Sequence, residues 1–281
     1  MQPMELITST SNPKIRLMRA LQQRKQREAT GLCLVEGIFH VGEAMAAGAA
    51  VEYLCYAPDM LTSDFAWRLV RDASAAGTPS FQVSAPVLAA LSEKEHPQGL
   101  LAVVRTRLLA LADLSPASFS WGVALVAPQD PGNVGAILRT VDAVGASGLI
   151  LLDGGVDPYH PSSVRASMGA LFGHPVATSG FAEWAAWCRE QGCQVVGTSA
   201  RASTDYRLAG PFTRPMMLLL GSEREGLSAE QAAVCHQMVR LPMHGRVTSL
   251  NLAVAAGIML YAMLPGLATA PASSRYAPDR P

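Results

Sequence analysis

Charge is scarce in this chain. Asp, Glu, Lys and Arg make up 16% of 281 residues, and 22 acidic side chains cancel 22 basic ones to a formal net charge of zero, so the total announces no attraction to nucleic acid or to a membrane surface. Cysteine is sparse too. Cys33, Cys55, Cys188, Cys193 and Cys235 contain no C-x-x-C pair, and an odd number of thiols without a secretory leader argues against a disulfide or zinc framework. The histidines, among them His96, His160, His174, His236 and His244, lack H-E-x-x-H spacing, so no metal is expected. The longest apolar run, Leu250 to Leu264, is short for a bilayer and holds Asn251 and Gly257. No signal-peptide core opens the chain, and the cytoplasm is the expected compartment. What is abundant is apolar surface: 49% of residues are hydrophobic, enough for two domains with a sizeable core.

The distribution of charge says more than its sum. Residues 1–30 carry Lys14, Arg16, Arg19, Arg24, Lys25 and Arg27 against Glu5 and Glu28, a local charge of +4. Such a patch suits a phosphate backbone, or it is the solvated face of an amphipathic helix whose Ile15, Met18 and Leu21 dock on the body. Periodicity predicts a small mixed α/β domain over 1–105. It comprises a basic helix, strands at Leu32–Val35, Val51–Ala57, Phe81–Ser84 and Leu100–Val104, and helices at Gly37–Ala47, Phe65–Ala76 and Pro86–Leu91. Residues 106–120 read as a linker. Over 121–264 buried strands alternate with helices, with strands at Trp121–Ala127, Leu149–Leu152, Gln194–Thr198, Met216–Leu220 and Met238–Leu241, the pattern of a mainly parallel sheet. A mobile tail is expected over 265–281.

Three Gly- or Pro-rich turns follow strands of this second region. Pro128-Gln-Asp-Pro-Gly-Asn-Val-Gly135 leads into a helix, Gly221-Ser-Glu-Arg-Glu-Gly226 ends a strand, and Leu241-Pro-Met-His-Gly-Arg-Val-Thr-Ser-Leu-Asn251 feeds an apolar C-terminal helix. In that helix Leu250, Val254, Ile258 and Tyr261 form an apolar stripe at helical spacing, and Ser249 is placed to cap its first N–H groups. Open α/β sheets bind ligands beyond the carboxyl ends of their strands, so one pocket formed by the three turns is expected. Gly197, Thr198 and Ala200, after the third strand of the region, are expected to line it.

In order and spacing the three turns resemble the motifs of the SpoU/TrmH family of RNA 2′-O-ribose methyltransferases. The first, N-x-G-x-x-x-R, stands as Asn133-Val-Gly135-Ala-Ile-Leu-Arg139; the second, G-x-E-x-x-G, as Gly221 to Gly226; the third, I-P-M-x-G-x-x-x-S-L-N, as the turn ending at Asn251. Leu241 replaces the usual Ile, and Ala253 stands where many members have Ser. Arg165-Ala-Ser-Met-Gly-Ala170 also resembles the family. Asn12-Pro-Lys, Leu34-Val-Glu-Gly37 and Phe39 to Ala44 are similar to its ribosomal-protein-like substrate-binding domain.

The resemblance implies a SPOUT-type α/β domain with a trefoil knot, S-adenosylmethionine as cofactor, RNA as partner and a homodimer through the catalytic domain. It implies catalytic roles for Arg139, Asn133, Glu223, Ser249 and Asn251, with Gly221, Leu241 and Leu250 at the cofactor. Lys14, Arg16, Arg24, Lys25 and Arg165 are candidate RNA contacts. An isolated guanidinium stays protonated at neutral pH, so Arg139 is expected to grip a phosphate and stabilise a developing alkoxide, with Glu223 orienting it or the substrate. Asn133 is expected to fix that Arg or the ribose, or to cap its helix. Ribosomal RNA is the favoured substrate; transfer RNA, or a non-catalytic RNA-binding role, are the alternatives. A dinucleotide dehydrogenase is disfavoured because Asp130 to Gly135 is not G-x-G-x-x-G.

Overall fold

The structure, a computed structural model, describes residues 6–92, 95–115 and 117–264; the tail expectation for 265–281 lies outside them. The fold divides into two compact units, the described residues to Arg107 with Tyr159–Gly173, and Leu108–Pro158 with the residues from His174 onward.

The first unit begins with α1 (Pro13–Ala20) and α2 (Arg24–Thr30), followed by β1 (Leu32–Glu36), α3 (Ile38–Ala46), β2 (Val51–Tyr56), α4 (Asp64–Ala75), β3 (Ser80–Gln82), α5 (Ala85–Ala89) and β4 (Leu100–Arg105). The single basic helix expected from sequence is two helices. Asn12 caps α1 by accepting from the Lys14 N–H at 2.9 Å. The chain bends after Leu21, where the buried Arg27 donates to the Leu21 and Gln22 carbonyls at 2.8 and 2.9 Å. Arg27 thereby satisfies orphan carbonyls at the end of α1 and is spent as a structural cation. The sheet runs β1-β4-β2-β3, with Ile15, Met18 and Leu21 packed beneath it against Cys55, Leu101 and Val103.

The second unit opens with β5 (Leu109–Ala110), β6 (Trp121–Val126), α6 (Pro131–Val144) and β7 (Gly148–Leu152). Next come α7 (Pro161–Ala166) and α8 (Ala170–Gly173), which fold into the first unit. There the Tyr159 hydroxyl is bonded to both the N–H and the carbonyl of Arg107 at 2.8 and 2.9 Å, and Gly169 lies so close to Glu43 that a side chain has no room. The chain then returns through β8 (Val176–Ser179), α9 (Phe181–Glu190), β9 (Gln194–Thr198), β10 (Thr204–Asp205), β11 (Met216–Leu220), α10 (Ala229–Ala233), β12 (Gln237–Arg240) and α11 (Leu252–Met263).

Eight strands in the order β10-β12-β9-β11-β6-β7-β8-β5 pair in parallel throughout. Every residue of β6, β7 and β11 is buried, as strands covered on both faces require. The five expected strands are present. The expected linker contributes β5 to the sheet edge, and β8 and β10 were unforeseen because short strands with Thr, Ser and Asp carry no apolar run. The expected stripe of α11 is corrected: Ala256, Met259, Leu260 and Met263 are its buried residues, whereas Val254 is 50% and Tyr261 56% exposed. The helix is apolar all round, and periodicity cannot choose a buried face when no face is polar.

Candidate functional site

The three turns converge, and a relay of side chains ties them together. After β6 the backbone turns at Ala127, with φ of 40°, and Asp130 accepts from the Gly132 N–H at 2.7 Å to cap α6 with Pro131 at its first position. Asn133 is therefore not the cap. Its buried side chain donates from Nδ2 to Glu223 Oε1 at 3.2 Å and accepts at Oδ1 from Asn251 Nδ2 at 2.9 Å. Glu223 also accepts from the Gln129 and Asp130 N–H groups at 3.1 and 3.4 Å. A carboxylate accepting several N–H groups is a strong anchor. Glu223 thus holds the first turn to the second; no bond joins it to Arg139. Asn251 in turn accepts from the Ala253 and Val254 N–H groups at 2.9 and 3.3 Å, so it, and not Ser249, caps α11.

The second turn is folded tightly on itself. Gly226 N–H donates to the Ser222 carbonyl at 2.9 Å, and Glu225 N–H to Ser222 Oγ at 3.2 Å. A Cβ at Gly221 would collide with the Gly226 carbonyl and the Leu227 nitrogen. The glycine is required by the returning backbone of its own loop.

These turns, with the loop after β9, enclose a cleft of about 710 Å³ at the carboxyl ends of β9, β11 and β12. That volume falls within the roughly 300–1,000 Å³ of small-molecule sites. Nine expected residues line it: Asn133, Thr198, Ala200, Gly221, Glu223, Leu241, Ser249, Leu250 and Asn251. Gly197 does not. It is buried behind the wall, where a Cβ would strike Cys235 Sγ and Met238 Sδ, and burial pushes the Cys235 thiol up to about 11. Arg139 is exposed on α6, outside the residues that line the cleft, and no carboxylate pairs with it among the described residues. Sequence reasoning missed Ser199, Arg201, Arg224, Leu227 and Met243, which also line the cleft; each is within four residues of an expected one, the signal that was there to use.

The candidate RNA contacts lie in the first unit and differ in availability. Arg16 and Lys25 are exposed, Arg24 is paired with Glu28 at 2.7 Å, and the Lys14 ammonium rests 4.5 Å from the centre of the Phe81 ring. Arg165 is half-buried within 3.4 Å of Ser162 Oγ and lines a small hollow with Gln22 and Glu36, a more enclosed setting than that of Arg16 or Lys25.

The cleft fits S-adenosylmethionine in size and lining. Leu220, Leu227, Leu241 and Leu250 would offer apolar cover for an adenine, and the glycine turn lines the same cleft. A parallel sheet with loops of this order defines a class, and comparison with known proteins agrees: the chain belongs to the SpoU rRNA Methylase family, whose profile matches residues 120–261, while the MRM3-like substrate binding domain matches 12–102. Particular relatives sharpen the picture. The chain is 35% identical to the 23S rRNA (uridine(2479)-2′-O)-methyltransferase of Streptomyces viridochromogenes, over 86% of this chain and 85% of that one. It is 29% identical to the 23S rRNA (guanosine(2553)-2′-O)-methyltransferase RlmP of Bacillus subtilis, over 92% and 98%. Among solved structures, an AdoMet-bound rRNA methyltransferase from Sinorhizobium meliloti superposes with a TM-score of 0.84 at 35% identity, covering 94% of this chain and 99% of that one. Contacts within the fold group Tyr159–Gly173, which lies inside the range of the first profile, with the first unit.

Proposed function

We propose that this chain transfers a methyl group from S-adenosylmethionine to a ribose 2′-hydroxyl of ribosomal RNA. The observation that carries the proposal is the Glu223–Asn133–Asn251 relay, which closes three motif loops around one cleft. When bound, the cofactor supplies an electrophilic methyl group on a sulfonium. The protein's task is then positioning and electrostatics, and a rigid, hydrogen-bonded rim suits both. Leu227, Leu241 and Leu250 would cover the adenine, and the Ser249 hydroxyl lines the same cleft. Arg139, without a carboxylate partner among the described residues, holds a substrate phosphate through its fork and stabilises charge developing on the ribose oxygen. The exposed Arg16 and Lys25 of the first unit add RNA affinity.

Three further properties belong to this reading. The C-terminal chain leaves β12 and crosses back to place α11 against α6 and β11, which supports a knotted path. The outward face of α11, with Val254 and Tyr261, adjoins the single turn Tyr206–Leu208, where Leu208 is 80% exposed. An apolar face of this kind supports a homodimer through the catalytic unit. The cytoplasm, where ribosomal RNA resides, is the corresponding compartment.

Methyl transfer from labelled S-adenosylmethionine tests the function, followed by ribose-methyl mapping of ribosomal RNA from a strain lacking the gene. A lost ribosomal ribose methylation is the expected result. Label appearing in transfer RNA alone would reassign the substrate, and no transfer to any RNA would reject the activity.

A further inference from the structure

We infer that Arg201 and Arg224 are positioning residues that grip phosphates of the RNA strand at the mouth of the cleft; the inference rests on the methyltransferase reading above. Four charged side chains line the cleft: Arg201, Glu223, Arg224 and Glu225. Glu223 is committed to the relay. The two guanidiniums are exposed and form no ion pair or hydrogen bond among the described residues. Arg207 marks the contrast: it is locked in a fork on Asp205 at 2.9 and 2.6 Å, which holds that carboxyl down at about 2.

Both free arginines stand on turns built in the same way. Arg201 N–H donates to Ser199 Oγ at 3.2 Å and Ala202 N–H to the Ser199 carbonyl at 3.1 Å, while Ser199 N–H is fixed to Val239 at 2.9 Å. Arg224 lies inside the Ser222–Gly226 turn, where Ser222 Oγ accepts from Glu225. A serine-anchored turn presents each cation from a rigid base, so less backbone order is lost when a ligand binds. β9 and β11 are adjacent strands, which puts the two turns side by side at the same sheet edge. Any RNA ribose delivered to this cleft brings a phosphodiester on each flank, and guanidinium forks match phosphate oxygens in pairs. The expected grip of Arg139 on one phosphate leaves neighbouring phosphates of the same strand to Arg201 and Arg224. Glu223 and Glu225 balance the two guanidiniums in formal charge, so the grip is local to each arginine and is not the pull of a net positive patch.

The test uses the full chain with transcribed 23S rRNA. R201Q, R224Q and the double variant are compared with wild type for the KM of RNA, kcat, the salt dependence of RNA affinity and cofactor affinity by calorimetry. Each substitution is expected to raise the KM about tenfold, as for one lost charge-assisted hydrogen bond, and to reduce the salt slope by about 0.7. Cofactor affinity and kcat should stay within twofold, and R201K and R224K should recover the slope but not the full KM. Unchanged RNA affinity and salt slope in the double variant, with wild type active, overturn this inference alone. Tenfold weaker cofactor binding with an unchanged slope also overturns it, assigning the guanidiniums to the cofactor's carboxylate. A wild-type protein that binds no cofactor overturns the methyltransferase reading and this inference with it.

Discussion

At the scale of single residues, two side chains concentrate the consequences. Asn251 both caps a helix and donates to Asn133, so its amide faces two loops at once. Asn251→Ala should cost about 1 kcal/mol for the lost cap, read as a lower Tm, and should also reduce methyl transfer. Asn251→Asp keeps the acceptor but not the donor. It should restore most of the Tm and little of the activity, and full activity in Asn251→Asp would show that the link to Asn133 is dispensable. Arg139→Ala should reduce turnover by roughly 10²–10³, the usual loss for one preorganised charge-stabilising group. Cofactor affinity should stay within a few-fold in a titration, since Arg139 lies off the cleft lining. At Gly221 the smallest side chain is already too large: Gly221→Ala should displace the Gly226 backbone and weaken cofactor binding, which calorimetry would register. Motif residues were readable from spacing, but their partners were not. Asn133 and Asn251 are 118 positions apart, and nothing in either local sequence says that one will donate to the other.

At the scale of elements, legibility followed burial. Strands β6, β7 and β11 were visible because a strand covered on both faces must be apolar along its length. β8, with Thr178 and Ser179, and the two-residue β5 and β10 lacked that signal and are held by pairing with neighbours already in place. The cap expected at Ser249 is Asn251, and the capping alternative for Asn133 falls to Asp130, because several nearby residues have capping chemistry and only the backbone selects among them. The misjudged face of α11 has a consequence in solution. Val254 and Tyr261 are exposed on a helix without a polar side, so Tyr261→Glu, alone or with Val254→Glu, should shift a dimer to monomer in sedimentation while leaving the monomer folded, because neither side chain belongs to the core. Unaltered sedimentation would place the dimer contact elsewhere or remove it.

At the scale of the whole molecule, the first compact unit is not one continuous stretch of sequence. Residues 159–173 are encoded between β7 and β8 yet complete the first unit, where Tyr159, Val164 and Leu171 are buried. Deleting 1–107 would expose those side chains at about 1.5–3 kcal/mol for each large one and strip Tyr159 of both partners on Arg107. That fragment should aggregate or bind a hydrophobic dye. A version in which a short Gly/Ser linker also replaces 159–173 should stay soluble and bind cofactor. Equal behaviour of the two fragments would show that the segment contributes nothing to the first unit. No composition or periodicity signal marks such an excursion, since Val164 and Leu171 read like any short amphipathic helix.

The same excursion sets an order of events during synthesis. A ribosome releases the chain from its N-terminus, and domains usually close as soon as their last residue has emerged. Here the leading half must wait, its surface open, until translation has passed through the glycine-rich turn after β6 and reached Gly173. The two halves of this enzyme therefore mature interleaved, and a stalled nascent chain ending before residue 173 would present an unfinished first unit to whatever chaperone meets it.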